Sequence, residues 1–351
     1  ASGNTHRMCK KPTEEDGRPI PARLSGFISR ALRHEDGGVV EVNEAWTLKK
    51  GWTFWKGVFR SIMKGYIGNA AVTVHDGRAA MAASGLSKAQ FFEQYGFVLL
   101  EHETAMEPHF WEQKEKLSQL YQPEIEKLVR EQLELTEIIF ESDGLSLTRG
   151  PKLPGATKEN VKIYGQGIHS DYGLTGEQYT FRTREITKAQ DEKGEFPDGP
   201  RDANRFDEMI QRDDIVGYTR LNFWRPIKPM QQPLKHMPMC YCDPNTVKKE
   251  DLVPCEVKGV PFNRGVTPRL IHTPEQRWYY FPDMSVNEVI CFKVFEHMKS
   301  TPPPTDPSFK YPAVFHTAFP DPTMTKKSEK RNSAEFRPWI FHKKSKSFGC
   351  V

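Results

Sequence analysis

From about residue 161 the chain alternates short apolar runs with turns rich in Pro, Gly and Asp. The runs are "DIVGYTRLNFW", "RWYYFPDM", "EVICFKVFEH", "PAVFHTAF" and "AEFRPWIF". Short β-type runs at such spacing predict an all-β barrel or sandwich. The chain ahead of them reads differently. Residues 111–140 carry apolar residues at helical spacing, with a break predicted near Pro123. "LSKAQFFEQYGFVLLEHET" predicts a short helix capped by Ser87, followed by a strand over "GFVLLEH". Upstream, "AVTVHDGR" predicts a strand, and residues 1–30, polar and Pro-containing, predict a loose arm. The polar insertion 193–209 reads equally as a lid or a solvated loop, and the charge run 325–331 reads as a solvated turn apart from its last residue. The expected class is mainly β with flanking helices. The expected division is an N-terminal arm and elaboration over 1–70, then a β domain over 71–351 that includes the helices.

Composition narrows the function classes. Hydrophobic content is 37%, and 27 Pro with 25 Gly imply many turns in the 351 residues. The net charge of +4 spreads over 50 basic and 46 acidic residues, too weak and too mixed for a nucleic-acid footprint. An anionic small molecule fits better. No apolar run approaches the ~20 residues that span a bilayer, and no signal-peptide pattern is visible. Six cysteines, Cys9, Cys240, Cys242, Cys255, Cys291 and Cys350, do not make a secreted disulfide framework. The expected location is the cytoplasm, with reduced thiols. Cys350 is second from the end, not in the fourth-from-last position of a prenylation box. His236, Cys240, Cys242 and Cys255 could form a zinc site, although C-x-C is not the spacing of a common zinc module.

Chemistry begins at "GIHSDYG", residues 167–173. On an extended chain His169 and Asp171 leave the same face, a spacing that suits a metal and also occurs by chance. One further His completes a two-His, one-carboxylate triad, which leaves half of an octahedral Fe(II) open. His236, His272, His297, His316 and His342 are the candidates. His236 and His272 sit beside prolines, His342 lies in a basic tail, and nothing after His297 resembles an anion site. His316 is followed by Arg331-Asn332-Ser333. An Arg and a Ser two apart on one strand face can clamp a distal carboxylate, the guanidinium fork giving two hydrogen bonds and the hydroxyl a third. A dicarboxylate with a 2-oxo acid at its other end, 2-oxoglutarate, would span clamp and metal.

The H-x-D…H…R-x-S order resembles the Fe(II)/2-oxoglutarate-dependent oxygenases, whose fold is a double-stranded β-helix (jelly roll, cupin-like). "NFWRPI", "RWYYFPDM", "HTAF", "QYGFVLLEHET" and "RNSAEFRPWIF" are similar to the AsaB-type hydroxylase/desaturase family, which includes gibberellin desaturase-like proteins. The resemblance runs from about residue 72 to 341. It implies His169, Asp171 and His316 as metal ligands and catalytic centre, Arg331 and Ser333 as 2-oxoglutarate clamp, and Asn222 as a polar neighbour of the co-substrate. Arg225 and Arg337 suit a grip on substrate or co-substrate anions, or equally structural ion pairs. Arg182 and Arg184 are further substrate candidates, and one of Tyr279 and Tyr280 is expected to face the cavity. The family often has Gln after the Asp; here stands Tyr172, a candidate substrate contact.

The implied activity is attack on an unactivated C–H bond of a small, carboxylate-bearing specialised metabolite, using Fe(II), 2-oxoglutarate and O2. The outcome would be hydroxylation, desaturation or ring closure, for example kainoid-type cyclisation of an N-prenylated amino acid. The alternatives are a jelly-roll metalloenzyme that does not use 2-oxoglutarate and a non-catalytic barrel that binds a small molecule.

Overall fold

Two β-sheets face one another in the computed structural model, which describes residues 19–28, 40–43, 68–142, 146–157, 160, 164–180, 203–258, 266–311 and 313–344. In chain order come β1 (Ile20–Phe27), β2 (Val40–Asn43), β3 (Gly68–Asp76), helices α1 (Gly77–Ser84) and α2 (Lys88–Tyr95), β4 (Phe97–Glu101) and α3 (Gln122–Gln132). Then follow β5 (Ile138–Glu141), β6 (Ser146–Arg149), α4 (Ala203–Gln211), β7 (Ile215–Pro226), β8 (Met239–Cys242), β9 (Leu252–Lys258) and β10 (Val266–Leu270). The last strands are β11 (Trp278–Tyr280), β12 (Glu288–Met298), β13 (His316–Ala318), β14 (Ser333–Phe336) and β15 (Trp339–Lys343).

One sheet runs β4-β12-β7-β14-β6 and the facing sheet β1-β3-β11-β8-β13. His169 extends the second sheet through an antiparallel bridge to His316. The chain crosses from sheet to sheet so that β6 pairs with β14, late in the chain, and the segment at His169 pairs with β13. That is the winding of a double-stranded β-helix. The small sheet β10-β9-β2 packs beside β1, where Ile28 N donates to Leu270 O at 3.0 Å and Leu252 and Leu270 share a core cluster with Leu24 and Phe27.

β7 is the centre of the larger sheet. All but one of its twelve residues are buried, and the buried set includes the polar Thr219, Arg220, Asn222 and Arg225. Its first half pairs with β15 and its second half with β14. The predicted single strand "AEFRPWIF" therefore splits in two. Pro338 has no N–H for the ladder, and its carbonyl instead accepts from Leu221 N at 3.2 Å. Between the sheets Phe97, Tyr241, Phe292 and Tyr279 pack ring on ring, at 5.6 Å for Phe97–Tyr241 and 5.0 Å for Tyr241–Phe292. Each fully buried aromatic of this kind stabilises by roughly 1.5–3 kcal/mol.

The helices cover the other face of that sheet. Ser87 caps α2, as the sequence predicts, here in a full capping box with Gln90, and Asp76 caps α1. The helix expected to break at Pro123 continues through it. Immediately before α3, Leu117–Tyr121 forms a π-turn, closed by Gln122 N donating to Leu117 O, which widens the backbone ahead of the proline. Other expectations give way too. Residues 203–209 of the predicted insertion are helical, with Phe206 and Met209 in the main core. Ile20–Phe27 is a strand rather than part of a loose arm: it pairs with β3, and Ser25 O accepts from Ile168 N at 2.7 Å. Gly26 at φ +101° permits that approach, since a Cβ there would collide with Ile168 N and lie 2.9 Å from Gly167. His342 is in β15, its Nε2 2.7 Å from Thr219 Oγ1, and not in a tail.

The cysteines do not assemble into a zinc site. Cys240 and Cys242 are wholly buried in one apolar cluster and Cys255 in another. Burial raises the Cys240 and Cys242 thiols well above their ordinary range. Among the described residues no helix is long and apolar enough to cross a membrane.

Candidate functional site

His169 and His316 face each other at one end of the barrel, joined by His169 N to His316 O at 3.3 Å and His316 N to His169 O at 3.2 Å. Their rings stand 4.4 Å apart, and Asp171 Oδ1 lies 3.8 Å from His169 Nε2. The three ligand atoms fall within 4.8 Å of one another, and no other group of three or more His, Cys, Asp or Glu among the described residues meets that test. The extended chain at 169–171 and its neighbour β13 place them there, two residues apart on one strand and one residue on the next.

The imidazoles are fixed in one tautomer. His169 Nδ1 is 2.8 Å from Gly167 O and His316 Nδ1 is 3.0 Å from Val314 O, so each Nδ1–H donates to a carbonyl two residues upstream. Each Nε2 lone pair is then turned to the site, the arrangement of ligating histidines. Desolvation, with His316 alongside, pushes His169 down to about 4. The ring is neutral at pH 7 and ready to ligate. Phe292 reaches across from β12 to pack 4.7 Å from the His316 ring.

Arg331 and Ser333 occupy the interior between the sheets. The Arg331 guanidinium is fully buried, with Nη1 donating to Met237 O at 2.5 Å. Its Nε and Nη2 have no hydrogen-bond partner, and neither has the buried Ser333 Oγ. No carboxylate lies within ion-pair distance of Arg331 among the described residues. Desolvation lowers its pKa to about 9, leaving it charged at neutral pH. Tyr164 lies flat beside it, 4.3 Å from ring centre to Cζ, and donates to Arg331 O at 3.1 Å. Buried polar atoms of this kind are nearly always satisfied. A carboxylate between Arg331 Nη2 and Ser333 Oγ would satisfy both, and the donor set fits the distal end of 2-oxoglutarate.

The same strand continues the pattern. Arg331, Ser333, Glu335 and Arg337 alternate along one face. Glu335, opposite Trp224 on β7, accepts from Arg337 Nη2 at 2.6 Å, Arg149 Nε at 3.2 Å and Asn222 Nδ2 at 3.4 Å. Arg337 Nη2 also stands 3.5 Å from Asp171 Oδ2. Burial works to raise the Glu335 pKa, but Arg337 and Arg149 outweigh it and hold the carboxylate ionised. Asn222 thus lies in the site, with Oδ1 unpartnered.

The other expected residues divide. Arg225 is on the opposite face of β7, because neighbours on a strand alternate. Its guanidinium donates to His102 Nδ1 and His102 O, both at 2.8 Å, and to Val286 O. It ties the sheet to the helices and does not meet the metal residues. Tyr172 packs at 4.5 Å on Tyr179 in the core, next to Asp171 in sequence. Tyr279 lies between the sheets, and Tyr280 packs at 5.4 Å on Phe319 in the second cluster. Arg182 and Arg184 lie outside the described residues. The sequence reading missed Glu335, Arg149 and Tyr164. The period-two run from Arg331 to Arg337 could have pointed to Glu335; Arg149 arrives on β6 and Tyr164 in the irregular segment ahead of His169, with no local signal.

Residues 203–341 match a family described as an oxidoreductase/YMDC permease-like domain. No curated protein sequence matches the chain. Among solved structures, the iron and alpha-ketoglutarate-dependent endoperoxidase NvfI is similar at a TM-score of 0.56 and 17% identity, over 93% of this chain and 98% of that one. Its tryptophan-to-phenylalanine variant gives a TM-score of 0.57 over the same shares at 17% identity. At that identity the likeness establishes the fold, a jelly roll.

Proposed function

We propose that the chain is a non-haem Fe(II)- and 2-oxoglutarate-dependent oxygenase acting on a C–H bond of a small molecule. The observation that carries this reading is the buried Arg331 guanidinium beside Ser333 Oγ, each with unsatisfied donors, in the same barrel as the only metal-ligand cluster among the described residues. A charged group costs several kcal/mol to bury unless a partner arrives. A co-substrate carboxylate supplies that partner each cycle.

His169, Asp171 and His316 would hold the iron, and Arg331 with Ser333 the far carboxylate of 2-oxoglutarate. Bound iron supplies O2 activation at the cost of 2-oxoglutarate, giving succinate and CO2. The protein's own part is placement: two tautomer-locked imidazoles, one carboxylate, a clamp, and aromatic walls that exclude water. The substrate is read as an anionic specialised metabolite, with hydroxylation, desaturation or ring closure as outcomes; the endoperoxidase chemistry named for the structural relative adds insertion of O2 itself. With Arg225 on the far face and Arg337 tied to Asp171 and Glu335, the substrate's anion finds its grip elsewhere than in that pair.

Anaerobic addition of Fe(II) and 2-oxoglutarate should produce a weak visible charge-transfer band, lost in His169→Ala and reduced in Arg331→Met. Absence of the band from the unaltered protein overturns the proposal.

A further inference from the structure

Glu335 is a second buried carboxylate close to the triad, and the proposed reading gives it no task. It lies deep in the barrel and accepts from three donors, Arg149 Nε, Asn222 Nδ2 and Arg337 Nη2. One of those donors is shared. The same Arg337 Nη2 that is 2.6 Å from Glu335 Oε2 is 3.5 Å from Asp171 Oδ2. Of the two Asp171 oxygens, Oδ1 lies 3.8 Å from His169 Nε2, while Oδ2 is in ion-pair range of Arg337 without a hydrogen bond to it.

Resting on the metal reading of the triad, we infer that Arg337 and Glu335 are positioning residues for the metal carboxylate. Arg337 occupies the outer oxygen of Asp171, so that the carboxylate ligates through Oδ1 alone. Glu335 anchors Arg337 from behind, and its bonds to Arg149 and Asn222 keep it from moving onto the metal itself. A carboxylate with both oxygens on the ion would fill a fourth position; so would Glu335 if released. Either would remove one of the three sites that co-substrate and O2 need. The strand makes the arrangement possible: Ser333 meets the co-substrate, and Glu335 and Arg337, two and four residues on, reach the metal side of the same interior face.

Three features distinguish this role from an ordinary buried ion pair. The shared nitrogen couples two carboxylates far apart in the chain, Asp171 in the bend after the His169 bridge and Glu335 on β14. Glu335 is satisfied without the metal ligand, so the link to Asp171 is not needed to satisfy Glu335. A planar guanidinium can address two carboxylates at once, which the single ammonium of Lys does less well.

Mn(II) binding to the apo protein, followed by loss of the free-ion electron paramagnetic resonance signal, tests this without turnover. Arg337→Gln should weaken Mn(II) affinity by roughly 10–100-fold, the usual cost of losing a partner that orients a ligand. Glu335→Gln should also weaken it, although Glu335 is no ligand. The double variant should bind no worse than Arg337→Gln alone, because one residue acts through the other. In the Co(II)-loaded protein both single variants should shift the visible absorption bands, which a purely structural ion pair would leave in place. Unchanged affinity in Arg337→Gln, or losses that add in the double variant, overturns the inference. Should Arg337→Gln fail to fold, unchanged Mn(II) affinity in Glu335→Gln overturns it alone. If the unaltered protein binds no Mn(II), the metal reading itself fails, a result separate from these.

Discussion

His169 and His316 each spend the Nδ1–H on a carbonyl two residues back, so Nε2 is the atom left to meet a metal. Ser333 is the corresponding small investment at the other end of the site. Its hydroxyl is buried without a partner, and hydrogen bonds to charged groups contribute about 1.5–3 kcal/mol. Ser333→Ala should therefore weaken 2-oxoglutarate binding to the metal-loaded protein roughly tenfold or more, measured by anaerobic calorimetry. Unaltered affinity would mean that the hydroxyl serves another group. The gathering of His169, Asp171 and His316, and the placing of Arg331 beside Ser333, were legible at this scale because each is a short motif with a fixed chemical need. Arg225 was not. Only its position on β7, one residue out of phase with Asn222 and Trp224, assigns it to the outer face.

Among the elements, β14 does the most with the fewest residues, and its approach depends on Gly150. That glycine ends β6 at φ +129°, where a Cβ would collide with the Arg331 carbonyl and lie 2.8 Å from Asn332 Oδ1. Gly150→Ala should cost roughly 1–3 kcal/mol, as overpacking against backbone does, and should lower 2-oxoglutarate affinity together with the denaturation midpoint. A variant with wild-type values in both would show that the strand tolerates displacement. Elements set by local rules were read correctly from sequence: the cap at Ser87 and the strand over "GFVLLEH" need only neighbours within a few residues. Where the reading failed, tertiary context decided. Pro123 ends a helix by propensity, yet a π-turn before it lets the helix continue, and the polar stretch near 203 became a helix because Phe206 and Met209 found the core.

At the scale of the molecule, the larger sheet is bolted to its helices by a polar network around Arg225. His102 Nδ1 accepts from Arg225, which leaves Nε2–H pointing at Glu124 Oε2, 3.6 Å away. Burial, and then Arg225, lower the His102 pKa from 6.5 to about 4. The unfolded chain takes up this proton first as pH falls. The neutral imidazole therefore contributes stability that is complete above pH ~6.5 and drains away between ~6.5 and ~4. Thermal midpoints should fall over that window, and His102→Gln should flatten the fall; parallel curves for the two proteins would refute the assignment. A β-barrel or sandwich was legible from the series of short apolar runs, and the jelly roll from the family resemblance. The closure was not, because pairing of β6 with β14 and of residue 169 with 316 joins parts of the chain with no sequence signal in common.

That last pairing has a mechanical side. Gly167 N donates to Thr317 Oγ1 at 3.0 Å across 150 residues of chain, next to the doubly bonded His169–His316 bridge. An ion held by both histidines would act as a rivet at this seam, closing a very long loop in the folded state and finding no equivalent seat in the unfolded chain. The catalytic metal would then also be a fastener. Withdrawing it would loosen the mouth of the barrel first, where His169 meets β13, while the clamp strand β14, held on both sides by β7 and β6, stayed in register.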